Sequence, residues 1–294
     1  MTTIRKLGVI GGDARMGYLA AACAGRVETV TFYMKNMPFI GEAVRAASPD
    51  ELAGVDALVL PHPATRDGVH ILTPLDEGVC EARAVFEKLS PGVPVFGGAG
   101  SEKLREAAQA AGVRLTGYAE GDAFKEANAV PTAEGAIALA VLSSPYSLCG
   151  EKGVVSGYGR IGRALAARLS ALGMAVTAVS ASEGKRREIE QAGMTAVPYE
   201  EADAALAGAR FVFNTAPARV FDAHIGAFAA GVCYIELASP PYGLDAGAAK
   251  DAGVLYVDGA ALPGRFSPAK AGEIAAARVF SLLAERQGRK EAAV

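Results

Sequence analysis

The sequence predicts an α/β protein of two Rossmann-like, doubly wound parallel-sheet domains with an interdomain cleft. Three observations predict it. Short apolar runs alternate with Ala- and Leu-rich helical stretches along the whole chain. The runs are continuous rather than alternating, which marks strands covered on both faces, as in parallel sheets. They also fall into two series on either side of a break near residues 125–150, one series for each sheet.

The first series predicts strands at Lys6–Ile10, Thr29–Phe32, Ala57–Leu60, Val93–Phe96 and Arg114–Leu115, with a helix over Ser101–Ala111. At the break, Pro131 suits the first turn of a helix, so a hinge helix is expected over Thr132–Leu142. Ser143-Ser-Pro-Tyr-Ser-Leu-Cys-Gly150 reads as a linker. The second series predicts strands at Gly153–Val155, Ala175–Val179, Phe211–Asn214, Cys233–Glu236 and Val254–Val257, with helices over Ile161–Leu172 and Gly184–Ala192. A last helix, Pro268–Glu285, follows the completed second series and is expected to pack back on the first domain. The expected organisation is a first domain over 1–130, hinge helix and linker over 131–150, a second domain over 151–267, and a returning helix over 268–294.

Bulk properties narrow the function. The 294 residues are 51% hydrophobic, enough for a sizeable core, which excludes a disordered chain. A net charge of −3 gives no reason to expect nucleic acid or an anionic membrane as partner. Cys23, Cys80, Cys149 and Cys233 are scattered with no CxxC pair, which reads as reduced thiols and no metal. The N-terminus runs straight into a strand without a signal-peptide layout, and no apolar run is long enough to span a bilayer. A cytoplasmic protein is expected, in a homo-oligomer.

The chemistry-bearing motif is Gly157, Tyr158, Gly159, Arg160, Ile161 and Gly162, a GxGxxG that follows a strand and opens a helix. Gly157 permits the tight turn, Gly159 lets a pyrophosphate approach the backbone, and Gly162 lets helix and strand pack closely. The helix N-terminus offers N–H groups and a positive dipole end to phosphate. The motif predicts a nicotinamide dinucleotide, NAD or NADP. Asn214, Thr215, Ala216 and Pro217 follow one strand of the second series, and Ala238 and Ser239 follow another. Both loops belong at the carboxyl edge of that sheet, beside the cofactor; simple loop capping explains such polar residues as well.

In the first domain, Gly11-Gly-Asp-Ala-Arg15 ends a strand without the three-glycine spacing. Asp13 and Arg15 sit where open α/β sheets place ligands, and they fit a plain loop ion pair equally. Thr65 and Arg66 follow another strand and can bind a carboxylate, Arg66 by a bidentate fork. His62, between two prolines, reads as a loop residue, and no Ser/His/Asp or HExxH grouping is evident.

Taken together, several segments resemble the A-subunit family of the dipicolinate synthases of endospore-forming bacteria. They are Ile10-Gly-Gly-Asp-Ala-Arg15, Asn128-Ala-Val-Pro-Thr-Ala-Glu-Gly135, the turn Gly157–Gly162, Asn214-Thr-Ala-Pro217, Leu237-Ala-Ser239, Leu262-Pro-Gly264 through Pro268, and Ala271-Gly272. The resemblance implies a substrate domain first and a nicotinamide-binding domain second. It also implies an activity: with a flavoprotein-like B subunit, such proteins convert a dihydrodipicolinate-type precursor to dipicolinate during sporulation. Two substrate carboxylates then call for cationic and hydroxyl partners, with Arg15, Arg66, Arg265, Thr65 and Thr132 as candidates. Glu134, expected on the first turn of the hinge helix, is the candidate proton acceptor, and a helix-capping charge is the equal alternative. A dinucleotide-binding regulatory or assembly component, and a dehydrogenase of amino or hydroxy acids, are the competing functions.

The sequence departs from the family at Ala181, where an Arg often stands, and at Pro240-Pro-Tyr-Gly243. No carboxylate ends the strand Ala175–Val179, so nothing there repels a 2′-phosphate. Ser180 and Ser182 can donate to it, and Lys185, Arg186 and Arg187 can supply charge, although such a run also fits a solvated helix face. A modest preference for NADP over NAD is expected.

Overall fold

The computed structural model describes residues 4–75, 80–97 and 100–291. The chain forms two compact units, Met1–Asn128 with Ser267–Val294, and Ala129–Phe266.

The first unit contains β1 (Lys6–Ile10), α1 (Ala14–Cys23), β2 (Thr29–Tyr33), β3 (Val44–Arg45) and β4 (Ala57–Val59). A small antiparallel hairpin, β5 (His70–Ile71) with β6 (Cys80–Glu81), interrupts the series. Then come α2 (Ala82–Phe86), β7 (Pro94–Gly97), α3 (Glu102–Ala110) and β8 (Arg114–Gly117). The sheet runs β3-β2-β1-β4-β7-β8 with every pairing parallel. Its strands are apolar on both sides because both faces are covered. Leu7, Val9 and Val59 enter one core with α1, whereas Ile10, Leu58 and Leu60 enter another with Phe86 and Leu104.

The chain leaves this unit inside α4 (Asp122–Ser143). The hinge helix expected to start after Pro131 therefore starts well before it, at Asp122, and Pro131 is internal to it. A proline removes only one N–H from the ladder, and the helix-forming run before it carries the helix through. Glu134 accordingly lies in the middle of a 22-residue helix, not on its first turn, so the capping explanation of this residue is corrected.

The second unit contains β9 (Lys152–Ser156), α5 (Arg160–Ala171), β10 (Ala175–Val179), α6 (Glu183–Gln191), β11 (Thr195–Val197), α7 (Asp203–Gly208) and β12 (Phe211–Asn214). β13 (Cys233–Glu236), α8 (Ala246–Asp251), β14 (Leu255–Asp258) and α9 (Leu262–Phe266) complete it. The order is β11-β10-β9-β12-β13-β14, again all parallel. Counted within each six-stranded sheet, both have the 3-2-1-4-5-6 order of doubly wound dinucleotide-binding folds. The α/β class with two such sheets is as the apolar runs predict. The edge strands β3 and β11 are additions to that prediction: both residues of β3 are exposed, and an exposed pair carries no apolar signal.

The last helix, α10 (Pro268–Glu291), belongs to the first unit and packs on α1. Gly272 permits the approach, since a Cβ there would stand 2.6 Å from the Arg15 carbonyl oxygen and 2.7 Å from the Leu19 nitrogen.

Candidate functional site

In the second unit the order reverses between β9 and β12, and the turn leaving β9 is the glycine motif. Gly157 takes a left-handed φ of +84°, and a Cβ on it would stand 2.7 Å from Thr215 Oγ1. A Cβ on Gly162 would stand 2.1 Å from the Gly157 carbonyl oxygen. These two glycines are required by the protein's own packing. Gly159 differs: a Cβ on it would meet nothing within 4 Å. Gly159 is also the N-cap of α5, and no side chain caps that helix. Open space at an uncapped helix N-terminus fits a pyrophosphate, which supplies the missing acceptors.

The neighbouring loops brace this turn. Thr215 Oγ1 donates to the carbonyl oxygens of Ser156 (2.8 Å) and Gly157 (3.3 Å). Asn214 is fully buried; its Nδ2 donates to Glu236 Oε1 (2.7 Å) and to the Ala216 carbonyl (3.0 Å), while its Oδ1 accepts from Ala216 N–H (3.2 Å). The Asn214 side chain is thus consumed in shaping the loop. Glu236, 2% exposed, also accepts from Ala238 N–H (2.9 Å), Gly243 N–H (2.7 Å) and the Tyr234 hydroxyl (3.0 Å). One buried carboxylate therefore ties together the loops carrying Ala216, Pro217, Ala238 and Ser239. Burial and that carboxylate push the Tyr234 phenol far above its ordinary range. Sequence reasoning passed over Glu236; its signal is a carboxylate ending a wholly apolar strand. Tyr158, 6% exposed, belongs to the same buried core as Val155 and Leu165. Arg160 is exposed and Ile161 half-buried on the first turn of α5.

At the end of β10, Ser180 is buried and its Oγ accepts from Ser182 N–H (3.4 Å). Ser182 caps α6 by accepting from Lys185 N–H (3.4 Å). Lys185 pairs with Glu188 at 3.0 Å, and Arg187 pairs with Glu183. Arg186 Nη1 donates to the carbonyl oxygens of Ser180 (2.8 Å) and Ala181 (3.0 Å), so one guanidinium stands at the strand end with no acidic partner among the described residues.

In the first unit, Asp13 caps α1, its Oδ1 accepting from Arg15 N–H (3.1 Å). Arg15 makes two further bonds to the Asp13 carboxylate, both 2.8 Å, and donates through Nη2 to the His62 carbonyl (2.9 Å). The loop ion pair is real, and the pair also lines a cavity with His62, Tyr118 and Asn128. Thr65 is buried, accepting from Gly68 N–H at 3.1 Å. Arg66 is exposed beside Asp67 and His70 at a shallow surface pocket. Elsewhere, Thr132 is buried in α4. Glu134 is 53% exposed and lies 3.8 Å from Arg168. Arg265 donates to the carbonyl oxygens of Asp258 (3.2 Å) and Ala260 (3.3 Å).

Among the described residues no group of three His, Cys, Asp or Glu could hold a metal ion, and no helix is long and apolar enough to cross a membrane.

Residues 132–225 match the NAD-binding domain of D-isomer specific 2-hydroxyacid dehydrogenases. Fold and glycine turn together define a protein with a nicotinamide-dinucleotide-binding domain of the dehydrogenase type. Residues 6–119 match the N-terminal domain of the dipicolinate synthase A subunit. The A subunit of the dipicolinate synthase of Bacillus subtilis (strain 168) is 27% identical over 98% of this chain and 98% of its own. The crystal structure of the dipicolinate synthase A subunit from Bacillus halodurans is 26% identical with a TM-score of 0.86, covering 97% of this chain and 99% of that one. The transhydrogenase of Sinorhizobium meliloti, 14% identical with a TM-score of 0.70 over 94% of this chain and 93% of its own, shares the fold. The likeness to dipicolinate synthase A subunits thus extends over 97–98% of this chain.

Proposed function

We propose that the protein is the A subunit of a dipicolinate synthase. With a flavoprotein-like B subunit, in the cytoplasm, it oxidises a dihydropyridine dicarboxylate to dipicolinate at the expense of NAD(P), with NADP modestly preferred. The observation that carries this is the likeness to dipicolinate synthase A subunits in both units, rather than in the dinucleotide-binding half alone. When bound, the dinucleotide supplies the hydride acceptor.

The chain's own residues bind and orient. The uncapped start of α5 and the open space at Gly159 take the pyrophosphate. The loops held by Glu236 and Asn214 present the backbone of Ala216, Pro217, Ala238 and Ser239. Ser180, Ser182 and Arg186 meet the 2′-phosphate at the end of β10. In the first unit, Arg15 and Arg66 take the substrate's carboxylates, with Thr65 as hydroxyl donor. Glu134, exposed, takes the proton that leaves as the ring becomes aromatic.

The test is turnover. Purified protein is mixed with a dihydrodipicolinate-type precursor and NAD or NADP, with and without the B subunit, and dipicolinate is followed by absorbance. Dipicolinate and reduced cofactor in equal amounts are the expected products. Failure to form either with both cofactors and partner present overturns the reading.

A further inference from the structure

His62 belongs to no part of the machinery above, yet it lines a small cavity at the carboxyl end of β1. The cavity is about 20 Å³, which admits one water-sized group. Asp13, Arg15, Tyr118 and Asn128 line it as well. His62 Nδ1 is shut off from solvent and has no hydrogen-bond partner. A buried imidazole nitrogen without a partner is costly unless a ligand completes it.

The charge balance of the cavity is the second observation. Arg15 is already neutralised by its two bonds to Asp13. A carboxylate entering here therefore brings a negative charge that nothing in the cavity matches, unless His62 takes a proton. The titratable and charged groups facing His62 are Asp13 and Arg15 at the start of α1 and the Tyr118 hydroxyl; α4 contributes Phe124 and Asn128, and α10 contributes Ala271 and Ala275. Burial holds the Tyr118 phenol well above its ordinary range, so it stays neutral and can only hydrogen-bond.

We propose that this cavity is a carboxylate subsite, in which Arg15 and His62 grip one carboxylate of a dianionic ligand and His62 takes up a proton from solvent as the ligand binds. The proposal rests on the reading of the first unit as the half that takes a dicarboxylate. The cavity's size admits one carboxylate oxygen and leaves the rest of the ligand outside. In the free protein burial, and after it Arg15, hold His62 down at about 4, so the ring is neutral at physiological pH. A carboxylate at hydrogen-bond distance raises the proton affinity of such a group by about tenfold to a thousandfold. The proton comes from water, and no other bond is made or broken.

The probe is dipicolinate itself, titrated calorimetrically into the full chain at pH about 5.5 in two buffers of different ionisation enthalpy. The expected result is net uptake of between about 0.2 and one proton per dipicolinate bound, according to how far the carboxylate raises the proton affinity of His62. His62→Gln binds about tenfold or more weakly, with that uptake gone, and keeps the wild-type affinity for NADPH, which reports that the chain is folded. Binding without proton uptake, or uptake unchanged in His62→Gln, overturns the subsite. Should the variant fail to fold, the wild-type profile reads the same quantity: between pH about 5 and about 7, affinity falls by up to about tenfold for each unit that pH rises. A flat profile overturns the subsite equally. No binding of dipicolinate to the wild type removes the dicarboxylate reading on which the subsite rests, and is thereby distinguished from binding without a proton.

Discussion

The two sheets share one strand order and one direction, yet their first strand-to-helix turns treat a helix N-terminus in opposite ways. In the second unit the turn is open: Gly159 caps α5 with no side chain, and a Cβ would meet nothing there. In the first unit the turn is sealed. Asp13 caps α1 with its own carboxylate, and Arg15 folds back on that carboxylate. Gly12 adds to the seal, since a Cβ on it would fall 2.3 Å from Met16 Cγ and 2.9 Å from Pro61 Cβ. Topology fixes where a ligand is received, at the carboxyl end of the first strand. On the function proposed above, the residue at the N-cap would decide which ligand: an anion in search of N–H donors at the open turn, or a group recognised by side chains at the sealed one.

The largest effect should come from sealing the open turn. Gly159→Asp places a favoured capping carboxylate on α5 and against the pyrophosphate. NAD(P)H affinity should fall by about a thousandfold, equivalent to about 4 kcal/mol, with thermal stability unchanged or raised. Calorimetry and a melting curve check both; retained affinity in a folded variant would remove the site.

The next effect belongs to the sealed turn and is read by pH. His62 sits at about 4 in the folded chain against an ordinary 6.5, so the unfolded chain takes the proton more readily. Its contribution is fully present above pH 6.5 and is lost as pH falls towards about 4, by up to about 3 kcal/mol. Denaturant titrations of wild type and His62→Asn should diverge in that window alone; parallel curves would show that the ring is not held neutral.

Arg15→Ala tests whether the two turns work independently. Dicarboxylate binding should weaken by about 1.5–3 kcal/mol while NAD(P)H affinity stays the same. An equal loss for both ligands would end the division of labour between the turns. The smallest effect lies within the open unit. NADPH should bind a fewfold more tightly than NADH, and Arg186→Ala should erase that margin, worth about 0.5–1 kcal/mol. Tighter binding of NADH by the wild type would sink the preference.

The strands were legible because buried parallel strands must be apolar on both faces, as in Phe211–Asn214 and Cys233–Glu236, where every residue is buried. The glycine turn was legible because a backbone requirement is written in residue type: no other residue fits at Gly162. α4 misled because a proline's cost is local, whereas the helix draws its stability from residues on both sides of Pro131. The sequence shows His62 only as a loop residue and Glu236 only as a carboxylate that ends an apolar strand. Their importance comes from what lies across the fold from them: Tyr118, Phe124 and Arg15 in one case, Asn214 and the Gly243 N–H in the other.

The packing of α10 on α1, with Gly272 against the Arg15 carbonyl, bears on how the protein is born. The second unit is one continuous stretch of chain, while the first is assembled from both ends of it. On the ribosome, Ala129–Phe266 can close its sheet as soon as it emerges, but the face of α1 stays uncovered until the residues of α10 have left the exit tunnel. The core of the first unit is therefore complete only after the whole of the second unit has been made. During synthesis the half made earliest is the last to be finished, and its exposed apolar face is the one a chaperone would meet.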